Sequence, residues 1–387
     1  MAIPQPADAV HAMVASEDMC ASGRKLRDFY ARVPGAPLFH REFGYYCRDR
    51  WYAEGLAEDA DFDEMFGYDP PGHLQLRGVG WTYPAYEPAF EEKIIEDRGA
   101  YEVVQDDAGR HVLFFKGRRD GFMPEYLAHP MTDAKSWEEE CKWRLDPGTP
   151  ARYSDLDDRM AKARAGAGQG MMIQQGLAGA GMYLRALLGT TNMMYAFHDM
   201  PALLHDVMQT WLELADAVIA RHQEYVTLDE IWLSEDICYK NGPLVSPEIM
   251  AEFFFPYYQQ LLANVKARQL DKSRHLYVQI DTDGYCPPTI QLYIEAIDMD
   301  VMSPFEVAAG CDVVAIGREY PGLAMCGGID KRELARGKAA IDRIVEAILP
   351  TMRERGGYLP TCDHGVPEEV SLADYMHYRK RCLELGG

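Results

Sequence analysis

A (β/α)8 barrel of the TIM type, carrying an N-terminal helical and β-hairpin elaboration, is the fold the sequence predicts, and three observations predict it. From about residue 168 onward, short apolar runs alternate with helix-length amphipathic segments. Six such pairs follow one another, which implies parallel strands joined by helical crossovers. The chain has 387 residues, a length that suits one barrel with an added N-terminal region. A doubly wound open sheet is the structural alternative.

The apolar runs lie at 170–174, 229–234, 275–280, 299–304, 323–326 and 358–361. Helical patterns fill the intervals at 201–224, 247–268, 288–297, 308–319, 331–355 and 372–385. Ser246 ahead of Pro247, and Asp330 ahead of Lys331, read as helix starts. Residues 1–165 are less regular. Within them 101–104 and 111–115, joined across Asp106-Asp107-Ala108-Gly109, predict a hairpin amid aromatic and Pro-rich loops at 66–88. We read residues 1–387 as one barrel domain, with 1–165 holding the elaboration and first strands and 166–387 the regular units. The Gly-rich stretch at 165–170 is the nearest thing to a flexible joint, and no internal repeat is visible.

Composition narrows the function. The chain is 48% hydrophobic and 26% charged, which suits a protein with a large core. Its net charge of −22 would repel phosphates and argues against nucleic acid as a partner. No stretch approaches the roughly 18 consecutive apolar residues that a membrane span needs. Residues Met1 to Ala15 carry no Lys or Arg ahead of an apolar run, so no signal peptide and a cytoplasmic location are expected. The nine cysteines are odd in number and scattered without a Cys-x-x-Cys pair. They read as core residues, not as a disulfide framework or a four-cysteine zinc site.

In a barrel the chemistry comes from the C-terminal ends of the strands. Those positions hold Gln174 and Gln175, Glu235 and Asp236, Asp281 and Asp283, Glu306, Asp330, and Asp363 with His364. A carboxylate there is often only the cap of the next helix, a reading that is strong for Asp330 and fair for Asp312. It is weaker for Glu235 and Asp236, whose helix starts later. It is also weaker for Asp281 and Asp283, although Asp283-Gly284 also reads as a turn. One histidine among several carboxylates suits a divalent ion such as Zn, Mn, Fe or Mg. The same groups without metal raise one another's pKa, giving an acid beside a base, and both readings stay open. No Gly-x-Ser-x-Gly, His-Glu-x-x-His or phosphate-binding loop occurs. Tyr45, Tyr46, Trp51, Trp81 and Tyr83 either roof a pocket or pack as ordinary aromatics. The histidines at 198, 205, 222 and 377 sit in helical patterns and read as structural.

Three later segments carry a resemblance: Met302-Ser303-Pro304-Phe305-Glu306 through Asp312, Cys326-Gly327-Gly328-Ile329-Asp330-Lys331-Arg332, and Gly356-Gly357-Tyr358 through Asp363-His364-Gly365-Val366-Pro367. With Glu235-Asp236 and Lys240-Asn241-Gly242-Pro243-Leu244, they resemble the uroporphyrinogen decarboxylase superfamily, loosely from residue 88 and closely after 228. True decarboxylases of that group bind a tetrapyrrole through an Arg-Gln-Ala-Gly-Arg stretch. This chain lacks it, Arg48-Asp49-Arg50 being the nearest basic element, so porphyrinogen decarboxylation is not expected. The other branch, cobalamin-linked methyltransferases, holds zinc with a His-x-Cys pair and a later Cys. The resemblance places Asp281-x-Asp283 at the pair and His364 near the later cysteine. Carboxylates in place of thiolates make a harder site, suited to an oxygen atom.

The resemblance therefore implies a methyltransferase that demethylates a small O-methyl compound, or an N- or S-methyl one, and passes the group to a corrinoid on a partner protein. Glu235, Asp281, Asp283 and His364 are the expected metal or acid/base cluster, with zinc foremost. Gln174, Tyr285 and Glu306 are the expected substrate contacts, and a homodimer is a family-level expectation. The alternatives are a cofactor-free decarboxylase or lyase, in which His364 and an aspartate protonate a carbanion, and a non-catalytic tetrapyrrole- or corrinoid-binding barrel.

Overall fold

The computed structural model describes residues 19–119 and 124–387. The expectation about Met1 to Ala15 lies outside them. Among the described residues thirteen strands follow in chain order: β1 His73–Leu76, β2 Lys93–Arg98, β3 Tyr101–Gln105, β4 His111–Phe115, β5 Glu125–Ala128, β6 Met172–Ala178, β7 Glu230–Ser234, β8 Cys238–Tyr239, β9 Gly242–Pro243, β10 Tyr277–Asp281, β11 Val301–Ser303, β12 Ala324–Cys326 and β13 Tyr358–Leu359. All six apolar runs become strands, and the expected hairpin is β3–β4 at the centre of an antiparallel sheet ordered β2-β3-β4-β5.

Seven strands pair in parallel in the order β1-β6-β7-β10-β11-β12-β13. Spatial order equals chain order, as it does when every crossover turns the same way. Register carries one level of residues across the sheet. Gln174 faces Glu230, Glu230 faces Tyr277, and Asp281 faces both Ser234 and Ser303. The sheet curls until its inward residues meet: Met172, Tyr277, Val301 and Ala324 share one apolar cluster, with Leu359 packed against it. The full eight-strand closure is not formed by a strand ladder among the described residues. At the seam runs the segment 38–46, where His40 O accepts from Asp69 N at 3.0 Å and Tyr46 N donates to Val366 O at 2.8 Å.

Period two sorts the side chains. Ile173, Leu177, Ile231, Leu233, Val278, Ile280, Met302 and Met325 point outward into the large core shared with the helices. Those helices include Pro201–Gln223, Pro247–Phe253, Phe255–Arg268, Pro287–Ile297, Lys338–Arg355 and Leu372–Gly386. Ser246 and Asp330 cap their helices as expected, accepting from Ile249 N and Arg332 N. The pattern at 331–355 is two helices, because Gly337 between them takes φ +84. The stretch at 165–170 is no joint, since helix Leu156–Gly168 runs through most of it.

Helix Ala21–Tyr30 closes the N-terminal end of the sheet's hollow, placing Leu26, Phe29 and Tyr30 against the inward cluster. Burying each large side chain there contributes about 1.5–3 kcal/mol. The opposite end of the hollow, where the strands finish, opens on a cleft. Above the plug lies a polar level. Glu230 Oε2 accepts from Tyr30 Oη and from Gln174 Nε2, each at 2.6 Å. Glu230 Oε1 and Gln174 Oε1 have no partner among the described residues. Burial pushes the Glu230 carboxyl up to about 7, and the protonated form is the one that can donate from Oε1.

A carboxyl with a raised folded-state pKa ionises more easily in the unfolded chain. Stability therefore falls as pH climbs from about 4.5 through about 7. Glu230→Gln mimics the neutral group, so urea unfolding at pH 5 and pH 8 should show a smaller difference for this variant than for the parent. A slope of the same size would show that Glu230 is not its source.

Candidate active site

The strand ends open on a cleft of about 810 Å³ whose lining includes Phe43, Trp81, Tyr126, His129, Arg185, Asp236, Asp281, Asp283 and His364. Asp281 is the last residue of β10. Its main-chain oxygen accepts from Glu235 N at 2.8 Å and Asp236 N at 3.1 Å, tying the end of β7 to β10. Its side chain accepts from Ser303 Oγ on the neighbouring strand, and Ser303 Oγ in turn accepts from Gln279 Nε2 at 2.9 Å. Thr282 turns away from the cleft, and its Oγ1 accepts from Ile237 N at 3.1 Å and Cys238 N at 3.0 Å. Asp283 follows and returns to the cleft because Gly284, at φ +80, reverses the chain. A side chain on Gly284 would collide with the Tyr239 backbone. The Asp-Gly pair is thus a turn that also presents a carboxylate.

His364 comes from the loop after β13, and its Nε2 stands 3.7 Å from Asp283 Oδ2. Phe43 and Tyr46 flank the imidazole, with ring centroids at 4.9 Å and 6.1 Å. Burial lifts the Asp281 carboxyl to about 7, helped by the charge of Asp236. Burial also lifts Asp283 to about 7, with Asp236, Glu306 and Asp281 adding to it and Lys331 opposing. Burial and Lys331 lower the His364 imidazole. Near neutrality the cleft therefore holds protons on carboxyls beside a histidine that is largely neutral. Asp236 sits at φ +42, where residues with a Cβ are rarely found. It is held there by Arg185, which bonds both its carboxylate and, at 3.2 Å, its main-chain oxygen.

Of the expected cluster, Asp281, Asp283 and His364 meet in the cleft and Glu235 does not. Glu235 has no exposed surface. It turns back toward helix Ala180–Leu188, accepting from Gly181 N at 2.9 Å and from Tyr258 Oη. Burial lifts it to about 7. Among the described residues no three His, Cys, Asp or Glu side chains are placed to hold one metal ion. The four residues suggested for a single ion do not fit one as they stand, since Glu235 is tied to a helix start.

The three expected substrate contacts also lie outside the cleft lining. Gln174 is in the middle of β6, which runs on to Ala178, and bonds Glu230 inside the sheet. Tyr285 packs against the core and its nitrogen donates to Tyr239 O at 2.9 Å. Glu306 supports the Asp283 turn from behind, accepting from Gly284 N at 2.9 Å and standing 3.5 Å from Lys331 Nζ. Asp363 is buried and fastens two loops through Val307 N and Lys331 N.

Phe43, Arg110, Tyr126, His129 and Arg185 also line the cleft without having been singled out in the sequence. Tyr126 and His129 come with β5 of the antiparallel sheet, and no motif marks them. Of the expected aromatic roof, Trp81 lines the cleft and Tyr46 faces His364, whereas Trp51 is buried beside Tyr45. Tyr83 hydrogen-bonds Asp107 at 2.8 Å.

Removing the Glu235 carboxylate should cost stability, because Gly181 N–H and the Tyr258 hydroxyl would be left buried without an acceptor. Glu235→Ala is expected to lose about 2–3 kcal/mol in chemical denaturation, and Glu235→Gln less. A Glu235→Ala variant as stable as the parent would refute the capping role.

Residues 178–383 match the family model described as Uroporphyrinogen decarboxylase (URO-D). No curated relative matches the chain. Among solved structures the chain is similar to a methyltransferase from Methanosarcina mazei, at 13% identity and a TM-score of 0.56, over 95% of this chain and 99% of that one. A native Bacteroidetes-affiliated GH5 cellulase linked with a polysaccharide utilization locus is more distant, at 9% identity and a TM-score of 0.38, over 67% of this chain and 88% of that one. The methyltransferase likeness shows a shared fold. The family match takes in every strand of the parallel sheet from β7 onward together with Asp281, Asp283 and His364, and the chain belongs to the uroporphyrinogen decarboxylase (URO-D) family.

Proposed function

We propose that the protein is a methyl-transferring enzyme that demethylates a small O-methyl compound, the acceptor being a corrinoid carried by a partner protein. The observation that carries this reading is the pairing of Asp281 and Asp283 in one cleft, each lifted to about 7 by burial. Cleaving an O–CH3 bond leaves the bonding electron pair on oxygen, which needs a proton to depart readily. A protonated carboxyl in contact with that oxygen supplies it. His364, 3.7 Å from Asp283 Oδ2, returns the proton from solvent for the next turnover. A reduced corrinoid supplies the nucleophile for the methyl carbon. Trp81 and Tyr126 offer apolar walls for the substrate's body. Family membership and the shared fold support the reading.

The family's name favours a second reading, loss of carbon dioxide followed by protonation of the carbanion by the same carboxyls. Substrate panels separate the two. Purified protein with a reduced corrinoid protein and methoxylated aromatics should form methylcobalamin. Failure across a broad panel, with carbon dioxide released from carboxylated compounds instead, would decide for the second reading.

Asp281→Asn and Asp283→Asn should each lower kcat for methyl transfer by about 10²–10⁴. An acid must be protonated to act, so kcat of the parent should be level at low pH and fall as pH rises through about 7. A rate rising through that range would overturn the acid role. Exhaustive chelation should leave activity in place, and its loss together with a stoichiometric divalent ion would restore the metal reading.

A further inference from the structure

Outside the cleft lining, a second carboxylate reaches the histidine loop from behind. Glu42 lies on the segment 42–46 that fills the seam of the sheet, and it faces three donors. Glu42 Oε1 accepts from Phe43 N at 3.0 Å and from Cys362 N at 2.9 Å, two residues before His364. Glu42 Oε2 accepts from Tyr375 Oη at 2.9 Å. The far end of the same segment is pinned to the same loop, with Tyr46 N donating to Val366 O and Val366 N to Gly44 O, each at 2.8 Å. Between these two fastenings the segment lays the Phe43 and Tyr46 rings on either side of the imidazole.

We propose that Glu42 is a positioning residue for His364, holding the 42–46 segment against the 362–366 loop so that the imidazole faces Asp283. The anchorage behind it is continuous. Tyr375 Oη is bonded to Tyr68 Oη, and Tyr68 Oη lies 2.5 Å from Tyr45 Oη. The chain of hydroxyls that starts at Glu42 therefore returns to the segment three residues on. Arg379, only 1% exposed, stands 4.5 Å from the Tyr68 ring centroid and supplies a positive charge near the carboxylate. Glu42 is the point where the segment, the histidine loop and the C-terminal helix Leu372–Gly386 are joined by hydrogen bonds. An alanine there leaves Cys362 N–H and the Tyr375 hydroxyl without their acceptor and frees one end of the segment. Glutamine keeps an oxygen for the two backbone donors and an amide able to donate to Tyr375.

The inference rests on the proposed function for its catalytic meaning, but the test reads the imidazole directly. The chain's 11 histidines are titrated by NMR, the His364 signal being assigned by its loss in His364→Gln. In folded Glu42→Ala the His364 midpoint should move up toward the free value of about 6.5, because burial is the largest cause of its lowering, ahead of Lys331. The other midpoints should stay in place, and Glu42→Gln should restore the parent value. A folded Glu42→Ala with an unchanged His364 midpoint overturns the proposal. So does a Glu42→Gln shift as large as that of alanine, which would assign the effect to charge alone. If Glu42→Ala does not fold, Tyr375→Phe removes one support of the carboxylate, and it must shift His364 the same way or the proposal falls. Full methyl transfer in His364→Ala would refute the catalytic reading of the histidine and leave the titration result standing.

Discussion

Parallel, in-step pairing of the strands is the constraint from which the site follows. Because β6, β7, β10, β11, β12 and β13 all run one way, their last residues and the loops after them gather at one end. Hydrogen bonds at that end are made with unusual economy. The main-chain oxygen of Asp281 receives two amides from the end of β7, while its side chain receives the hydroxyl of the residue facing it on β11. The same few atoms that finish the sheet also set the direction of the carboxylate. Helix Ala21–Tyr30 fills the other end with apolar side chains, and among the described residues the hollow opens where the strands finish.

The acidity of the interior is organised by depth. Glu230 lies near the plug, Glu235 behind the sheet, and Asp281 with Asp283 at the mouth. Burial is the first cause of the rise in all four. The consequences differ because the partners differ. Glu235 is occupied by a helix start and a tyrosine hydroxyl, and Glu230 by Tyr30 and Gln174. Asp283 stands 3.7 Å from the His364 imidazole in the cleft lining. A raised carboxyl is chemically useful only where a substrate can reach it, so the same shift is structural in two places and available for catalysis in the other two.

The loops behind the mouth form a layer outside the cleft lining. Glu306 holds the turn that carries Asp283, Asp363 fastens the loops at 307 and 331, and Glu42 fastens the histidine loop to the seam. Each is a carboxylate accepting main-chain N–H groups. Such bonds fix backbone, and fixed backbone is what keeps side chains 3–4 Å apart aligned for proton transfer.

Alternation of apolar runs with helical patterns was enough to place the six later strands, the hairpin, and the caps at Ser246 and Asp330, because these depend on neighbours close in sequence. Strand-end positions also pointed to Asp281, Asp283 and His364, which line one cleft. The fates of Glu235 and Gln174 were not legible there. Adjacent residues on a strand end point to opposite sides, and β6 runs four residues past Gln174 through Gly176. The seam segment 42–46 meets the histidine loop across 320 positions, and β5 reaches the cleft from a separate antiparallel sheet. Only packing decides which distant segments meet, and a side chain's role at a site is set by what it meets.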